Sequence, residues 1–484
     1  MIWPDEVKVT GEMNEHPIWP YLAPHEARIK ALSDRVWGTP ETCYQENASM
    51  AAHLEELTHH GFRTATRLAD IPTSVMGEAG EGGPVIAILG EFDALAGLSQ
   101  VADVFEPIPL EPGANGHGCG HNLLGSAALM AAVALKDWLE ETGTPGRVRY
   151  YGCPAEEGGA AKTFMVREGA FADADCAISW HPDSVPGVVR GSSLANCRVD
   201  FTFEGRASHA AASPHLGRSA LDGVELMSVG VNYLREHMPD AARIHYAIID
   251  GGGISPNVVQ SKAKVRYVVR DATGPEMLKL LERVVNVAEG AALMSETKVS
   301  HEVLAAVSNL VYNGPLGEAM QRNLDILGPP PFDAADLAYA EKMQATLSDE
   351  DVAASYINHG LEVPETPKAL ADFIVPASAP VLPLAGSTDV ADVSWVVPTV
   401  QLWGATQTIG TPFHTWQMVA HGKSEVAKKG MFHAAAAMAA TGMDAFLDSD
   451  LRERAKADLA ARTRKTGYVC PLPDTAKPPI AAMG

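Results

Sequence analysis

Three short apolar runs, each ending in a polar cluster, constrain the fold of this chain more than any other feature. The runs cover residues 84–89, 148–153 and 176–180. They lack the regular polar alternation of a half-exposed strand, and this is typical of strands that are buried on both faces. A long apolar helix is predicted over residues 123–141. Strands that alternate with helices predict an α/β fold with a central mixed sheet flanked by helices, whose sites lie at the carboxyl ends of the strands.

A different pattern begins near residue 195 and predicts a second domain. Its strands and helices follow the order βαββαβ, which is that of a ferredoxin-like fold. The predicted elements are a strand at 198–203, a helix at 219–236, strands at 243–249 and 258–269, a helix at 275–295 and a strand at 298–307. Because polar clusters resume only near the C-terminus, we expect residues 196–307 to be inserted into one larger domain formed by 1–195 and 308–484. Residues 327–385 are rich in proline and are predicted to be an irregular connection.

Charge and cysteine content exclude several classes of function. The chain has 37 Lys+Arg against 60 Asp+Glu, a formal net charge of −23, so nucleic acid is not an expected partner. Its 6 cysteines are scattered without a CxxC pair, which is typical of a reducing compartment. The N-terminus lacks the basic and apolar regions of a secretory signal, and residues 431–447 are too short to span a membrane. We therefore expect a cytoplasmic protein without a membrane partner.

The first chemical cluster is the sequence Gly116-His-Gly-Cys-Gly-His-Asn122, just before the predicted long helix. Cys119 and His121 flank one glycine, and a thiolate and an imidazole at this spacing can reach one divalent ion. Three other interpretations remain open. The glycines could cradle a phosphate, although no strand precedes them. Cys119 could be a nucleophile with a histidine base, or the segment could be a turn with a buried thiol.

Acidic and histidine residues form three further clusters. Glu156 and Glu157 come directly after the second apolar run, where one carboxylate can bind a metal while its neighbour holds a proton. His181 follows the third run, and His414 lies between a proline turn and Trp416. Singly, such residues are more often a solvated acidic face or core histidines. Together, with Glu156 left as a base, they supply N, O and S ligands for two ions: Cys119, His121, Glu157, His181 and His414.

The order of these motifs resembles the M20 peptidase family, and within it the branch of amidohydrolases that use a cysteine ligand. The likeness also covers Gly90-Glu-Phe-Asp-Ala94, Ser208-His-Ala-Ala211, Gly251-Gly-Gly-Ile-Ser-Pro-Asn257 and Gly386-Ser-Thr-Asp389. It implies an enzyme with two divalent metal ions, Mn or Zn, that cleaves the amide bond of a small N-acyl or N-aroyl amino acid. It also implies that residues 196–307 form a dimerisation or lid domain, in a homodimer or with a heteromeric partner subunit.

The resemblance assigns roles residue by residue. It implies Glu156 as the general base and five metal ligands, Cys119, His121, Glu157, His181 and His414. His209 matches a histidine that reaches across the dimer to the scissile carbonyl. Asn257 and Arg270 match the pair that holds the substrate carbonyl and α-carboxylate. Asp93 and His117 are expected to support the metal ligands from behind.

Two positions depart from the family pattern. Glu91 stands where many members have a metal-binding histidine, and this suggests that Glu91 lies behind the ligands together with Asp93. Asn122 stands where the branch commonly has aspartate. Two other functions remain open at this stage. One is a metal-free thiol hydrolase with Cys119 as its nucleophile, and the other is a catalytically silent binding subunit that pairs with an active relative.

Overall fold

The computed structural model describes residues 16–384 and 386–483, which form two β-sheets covered by helices. The segment considered for a secretory signal lies outside these residues. The strands are β1 (Arg63–Thr66), β2 (Val75–Glu81), β3 (Val85–Glu91), β4 (Gly146–Cys153), β5 (Cys176–Asp183), β6 (Gly187–Val188), β7 (Ala195–Glu204), β8 (Arg243–Asp250), β9 (Lys262–Asp271), β10 (Lys298–Val307) and β11 (Thr399–Ala405).

The helices connect these strands and cover both sheets. They are α1 (Trp19–Leu22), α2 (Glu26–Trp37), α3 (Asn47–His59), α4 (His121–Thr142), α5 (Ala161–Arg167), α6 (Ala220–Leu234), α7 (Gly274–Met294), α8 (Gly314–Leu327), α9 (Ala334–Gln344), α10 (Asp349–Asn358), α11 (Val390–Val396), α12 (Trp416–His421), α13 (Glu425–Leu447), α14 (Ser449–Thr463) and α15 (Ile480–Met483).

The larger sheet has the strand order β1-β2-β4-β3-β5-β11-β6. Strands β3, β4, β5 and β11 run parallel at its centre, while β1, β2 and β6 pair antiparallel. Helices α4 and α13 pack on one face, and α5 and α11 pack on the other. Every residue of β3 is buried, because the central strands have helices on both sides. The predicted α/β fold with a mixed sheet flanked by helices is confirmed.

The smaller sheet has the strand order β10-β7-β9-β8, with every neighbouring pair antiparallel. Its chain order, β7-α6-β8-β9-α7-β10, is the βαββαβ order expected from the sequence. Helices α6 and α7 cover one face of this sheet. Buried apolar residues of β7 and β9 point toward the helices, and the residues between them are partly exposed on the other face. The smaller sheet therefore has one apolar and one polar face.

Two long apolar helices, α4 and α13, form the core against the larger sheet. Their many alanines leave little side-chain bulk between them, so the helices lie close together. The apolar segment at 431–447 is therefore buried inside the protein, as expected. Among the residues that the structure describes, no helix is both long and apolar enough to cross a membrane.

The prediction of an irregular connection over residues 327–385 is wrong in its first half. Helices α9 and α10 form there, and each begins with a capping box, Asp333 with Asp336 and Ser348 with Asp351. In a capping box the two side chains accept hydrogen bonds from the free backbone N–H groups of the first turn. The apolar side of α10 packs beside the ends of β5 and β11, so this segment is held next to the carboxyl edge of the larger sheet.

We predict that Gly430→Ala destabilises the protein. Gly430 lies where α13 crosses the end of β11, and a Cβ atom there would clash with the carbonyl oxygen of Ala405. Backbone atoms of a sheet do not move aside easily, so we expect a loss of about 1–3 kcal/mol, seen as a lower thermal unfolding midpoint. Gly290→Ala in α7 is the matched control, because a Cβ atom there meets nothing within 4 Å. It should leave the midpoint unchanged or raise it, and an equally stable Gly430→Ala variant would contradict this packing.

Candidate metal centre

The carboxyl ends of the parallel strands bring the predicted polar clusters to one edge of the larger sheet. The residues are Glu91 at the end of β3, Glu156 and Glu157 after β4, His181 in β5, Cys119 and His121 at the start of α4, and His414 after β11. They come from segments that are far apart in the sequence. The sheet topology is therefore what makes them neighbours.

These side chains form three overlapping groups in which the ligand atoms lie within 4.8 Å of one another. The groups are Cys119 with His121 and His181, Cys119 with Glu157 and His414, and Glu91 with His121 and Glu156. Cys119 joins the first two groups and His121 joins the first and third, so the groups adjoin. The structure thus brings together all five residues that the sequence suggested as ligands, and it adds Glu91 beside them.

The donor atoms at this centre fit a divalent cation. His121 Nε2 and Glu157 Oε1 are buried and have no hydrogen-bond partner among the residues described. A buried polar atom without a partner costs about 1–3 kcal/mol, and a bound cation would remove that cost. Thiolate, imidazole and carboxylate are the usual protein ligands of zinc, and imidazole and carboxylate also bind manganese.

Asp93 lies directly behind two of the candidate ligands. Its Oδ1 is 2.9 Å from His121 Nδ1, and its Oδ2 accepts a 2.9 Å hydrogen bond from the backbone N–H of Glu157. Donation from Nδ1 leaves the lone pair of His121 Nε2 facing the centre. One buried carboxylate therefore orients an imidazole and the loop that carries a second ligand.

His181 and His414 complete the centre from two other segments. His181 Nδ1 lies 2.8 Å from the carbonyl oxygen of the next residue, and its Nε2 lies 3.4 Å from Cys119 Sγ. His414 Nε2 is 3.4 Å from Glu157 Oε2. The backbone N–H of His414 donates to the carbonyl of Gly118 at 2.8 Å, and its φ of 61° is in the left-handed region. A histidine tolerates this conformation only where its surroundings enforce it.

Burial and crowding of like charges raise the proton affinity of the acids at this centre. Burial, followed by the charges of Glu91 and Glu157, raises the pKa of Glu156 well above its ordinary value. Burial also raises the pKa of Glu157 to about 7 and that of the Cys119 thiol well above its usual range. Several acids in one buried place are stable as anions only beside positive charge. The electrostatics of the centre therefore favour a cation.

Lys162 is a buried residue of this region that sequence reasoning did not single out. Its Nζ lies 2.7 Å from Glu91 Oε1 and 2.6 Å from Asp389 Oδ1. The other oxygen of Glu91 is 3.4 Å from His121 Nε2. Lys162 thus neutralises part of the acidic crowding and holds Glu91 next to a candidate ligand. A lysine at the start of an otherwise apolar helix was the available signal, since a buried lysine needs acidic partners.

His117 occupies a different place from the one expected. It is buried, and burial lowers its pKa to about 4. Its Nε2 lies 3.1 Å from the carbonyl oxygen of Val36 in α2. Among the described residues, the hydrogen bond of His117 therefore joins the centre's glycine-rich loop to a helix and does not reach a candidate ligand.

A cavity of about 750 Å³ opens onto the candidate metal centre. Its lining includes Cys119, Glu156, Glu157, His181 and His414, together with residues of the smaller sheet. Arg270 of β9 lies in this lining, as expected for a substrate-binding residue, and donates a 2.8 Å hydrogen bond to Ser387 Oγ. Arg198 of β7 lies there too, although sequence analysis did not identify it.

His209 and Asn257 do not reach this cavity within one chain. Both are exposed, and neither belongs to the cavity lining. His209 Nδ1 instead accepts hydrogen bonds from the backbone N–H groups of Ala211 and Ala212, at 3.2 and 3.1 Å. The carbonyl of Asn257 accepts from the N–H of Ala210 at 3.0 Å. These two residues form one exposed loop pair beside the smaller sheet.

Helix α10 and the residue after it form another wall of the cavity. His359 Nε2 is 3.2 Å from Asp183 Oδ2, at the end of β5, and both residues line the cavity. Burial lowers the pKa of His359, but the carboxylate of Asp183 outweighs it and the pKa is raised overall. The proline-rich segment whose packing the sequence did not reveal is thus part of the site.

Comparison with known proteins decides the family. The profile of peptidase family M20/M25/M40 matches residues 87–438, which covers the three strand ends and the inserted sheet. The chain belongs to this family. The resemblance inferred from the order of the motifs is therefore confirmed, and with it a hydrolase of the M20 peptidase and amidohydrolase type.

Similar proteins with known names extend this result. The p-aminobenzoyl-glutamate hydrolase of Escherichia coli (strain K12) has two named subunits, and the chain resembles both. It is 45% identical over 460 residues to one of them, covering 93% of this chain and 96% of that subunit. It is 29% identical over 242 residues to the other, covering 48% of this chain and 54% of that subunit.

Solved structures of low sequence identity share the fold. The chain resembles an aminobenzoyl-glutamate utilization protein from Klebsiella pneumoniae, with a TM-score of 0.54, 17% identity, and coverage of 87% of this chain and 98% of the other. It also resembles the Bacillus subtilis YXEP protein, described as a dinuclear metal-binding M20 peptidase, with a TM-score of 0.51, 16% identity, and coverage of 86% and 98%. At such identities the two structures establish the fold.

We predict that Asp93→Asn weakens metal binding by about 10- to 100-fold. An amide keeps the shape of the carboxylate but has one acceptor oxygen, so it cannot serve both His121 Nδ1 and the N–H of Glu157. Competition with a chelator of known affinity measures the change. His117→Gln is the comparison variant, because the hydrogen bond of His117 goes to Val36, and we expect its metal affinity to stay within about threefold of wild type. Equal affinities for Asp93→Asn and wild type would remove Asp93 from this supporting role.

Proposed function

We propose that this protein is a metal-dependent amidohydrolase that cleaves the amide bond of an N-acyl or N-aroyl amino acid of the p-aminobenzoyl-glutamate type. The observation that carries the proposal is one cavity that holds Glu156 together with a group of N, O and S ligands. The substrate class is supported by the relative from Escherichia coli, whose name states hydrolysis of p-aminobenzoyl-glutamate. A volume of about 750 Å³ suits a small molecule of this size.

Five residues would hold two divalent ions, Mn or Zn, in this proposal: Cys119, His121, Glu157, His181 and His414. Two shared side chains link the ligand groups, and this arrangement is suited to two neighbouring ions. Bound there, the ions would polarise the scissile carbonyl and lower the pKa of the attacking water. The YXEP protein, which shares the fold, is described as dinuclear, and this supports two ions over one.

Glu156 is the residue placed to move protons. It takes a proton from the attacking water and delivers it to the nitrogen of the leaving amine. Delivery is required because an amide anion is too basic to leave unprotonated. Burial and the neighbouring acids raise the pKa of Glu156, so its carboxylate is a stronger base than that of an exposed glutamate.

We further propose that residues 196–307 form a dimerisation and lid domain, inserted into a catalytic domain of residues 1–195 and 308–484. His209 and Asn257 would then serve the cavity of a neighbouring subunit, where His209 donates a hydrogen bond to the developing oxyanion. Their exposure outside the cavity of their own chain supports this role. Strand β8 is also an edge strand with exposed apolar side chains, including Tyr246 and Ile248, and such an edge favours pairing with another chain.

The partner in this assembly is either a second copy of the chain or a different subunit. We propose the homodimer, because one chain carries the metal ligands, Glu156 and His209. The two named subunits of the Escherichia coli enzyme support the heteromeric alternative. The complete set of Glu156 and five ligands argues against a catalytically silent subunit.

A metal-free thiol hydrolase is the weaker alternative. A nucleophilic cysteine needs a lowered pKa, whereas burial raises the pKa of Cys119. Its sulfur lies within 4.8 Å of ligand atoms in two separate groups, including those of Glu157 and His414. This environment suits a ligand better than a nucleophile.

We predict that the purified chain hydrolyses N-(4-aminobenzoyl)-L-glutamate and that a chelator abolishes this activity. Adding back Mn²⁺ or Zn²⁺ should restore it, and the more effective ion identifies the metal. A panel of N-acyl aspartates, glutamates and aromatic amino acids, with released amine as the readout, defines the acyl group. Activity that survives complete removal of metal would favour the thiol mechanism.

We predict that His209→Ala and Glu156→Gln are each nearly inactive but restore activity when mixed. Glu156→Gln is isosteric and should keep its metal while turnover falls by about 10² or more. In the mixed dimer, one cavity combines an intact Glu156 with the partner's intact His209. Random exchange gives half mixed dimers with one good site each, so about a quarter of wild-type activity is the ceiling for independent sites. No recovery despite demonstrated subunit exchange would place His209 in its own subunit or outside catalysis.

A further inference from the structure

Two arginines of the smaller sheet lie side by side in the cavity. Asn196 of β7 pairs directly with Arg270 of β9, and Arg198 is two residues further along β7. Side chains at positions i and i+2 of a strand point to the same face, so Arg198 and Arg270 are diagonal neighbours on the polar face. Both belong to the cavity lining. The smaller sheet thus presents two guanidinium groups to the space above the candidate metal centre.

The surroundings of Arg270 differ from those of a structural arginine on the same face. Arg266, four residues earlier on β9, forms an ion pair with Asp200 at 2.7 Å, and Lys264 lies 3.3 Å from the same carboxylate. Arg270 donates to the neutral hydroxyl of Ser387, and among the described residues it has no acidic partner within 4 Å. In a chain with a net charge of −23, an arginine that lines a cavity without a carboxylate partner is suited to an anionic ligand.

Arg198 extends this positive surface toward the residues that would carry out the reaction. A Cβ atom on Gly158 would clash with the guanidinium of Arg198, so the glycine leaves room for this side chain. Gly158 directly follows Glu156 and Glu157 in the turn after β4. The positive charge of Arg198 also contributes to lowering the pKa of Arg270, after the larger effect of burial. Two like charges held this close repel each other, and an anionic group between them would relieve the repulsion.

We propose that Arg198 and Arg270 together bind the amino-acid half of the substrate, with Arg270 on its α-carboxylate and Arg198 on a second carboxylate of its side chain. Arg198 would therefore determine specificity for N-acyl derivatives of dicarboxylic amino acids. This inference rests on the proposed amidohydrolase function and deepens it. A substrate with a neutral side chain forms no charge-assisted hydrogen bond with Arg198, and it leaves the repulsion between the two arginines in place. A mismatch of this kind gives large discrimination.

The test compares two substrates of equal size, N-(4-aminobenzoyl)-L-glutamate and N-(4-aminobenzoyl)-L-glutamine. They differ only in whether the side chain ends in a carboxylate or an amide. For the wild type we expect kcat/KM to favour the glutamate compound by about 10² or more. Arg198→Met should reduce that preference to less than about fivefold, by lowering the glutamate value while the glutamine value stays within about threefold. Arg198→Lys, which keeps the charge without the planar fork, should retain an intermediate preference.

Arg266→Met is the matched control, since it removes an arginine from the same sheet face outside the cavity lining. It should leave the substrate preference unchanged. Metal content and unfolding midpoint are measured for every variant, so a general loss of structure is recognised. A wild type without preference, or an Arg198→Met variant that loses both substrates equally, would overturn the role of Arg198.

Equilibrium binding separates this inference from the proposed function. Titration of the wild type and Arg198→Met with L-glutamate and L-glutamine requires no hydrolysis. Tighter binding of L-glutamate that is lost in Arg198→Met would support the arginine pair even if no amide in the panel were cleaved. Equal binding of the two amino acids to the wild type would overturn it. Hydrolysis of both substrates at equal rates would reject the dicarboxylate specificity alone and leave the amidohydrolase function in place.

Discussion

The concentration of buried carboxylates at one edge of the larger sheet is the constraint on which the rest of this structure depends. Glu91, Glu156 and Glu157 approach one another there, with Asp93 and Asp389 close behind. Water is largely excluded, so their repulsion must be balanced by positive charge or by protons. Lys162 supplies one fixed cation between two of the acids. The remaining excess of negative charge explains why the centre suits divalent metal ions and why its ligands are held from behind by hydrogen bonds.

The sheet meets this constraint by assigning different tasks to different segments. Parallel strands end at the same edge and deliver acidic and histidine side chains to it. The glycine-rich loop before α4 delivers Cys119 and His121, and Gly120, with a φ of 75°, begins the helix in a conformation that favours glycine. The smaller sheet closes the cavity from another side with its polar face, while its apolar face is buried under α6 and α7. Metal ligands and substrate-binding cations thus come from separate layers, and the chemistry occurs between them.

Much of this could be anticipated from the chain because the relevant signals are local. Apolar runs that end in acids or histidines predicted the strands, and the βαββαβ order predicted the smaller sheet. Other features gave no such signal. The capping boxes of α9 and α10 were hidden in a proline-rich segment, so the wall that carries His359 was not foreseen. Arg198 is one of many arginines in the sequence, and only the pairing of β7 with β9 places it beside Arg270.

The sequence by itself determined the fold class, the family and the identity of the side chains that could bind metal, since residue type and order along the chain carry that information. Only the tertiary structure decided which of these side chains meet. It placed Glu91 and Lys162 at the centre, turned His117 toward α2, and left His209 exposed away from the cavity of its own chain. The physical reason is that distances between remote segments follow from strand order and helix packing, and one residue type serves equally well as a ligand, a core group or a surface group until its neighbours are fixed.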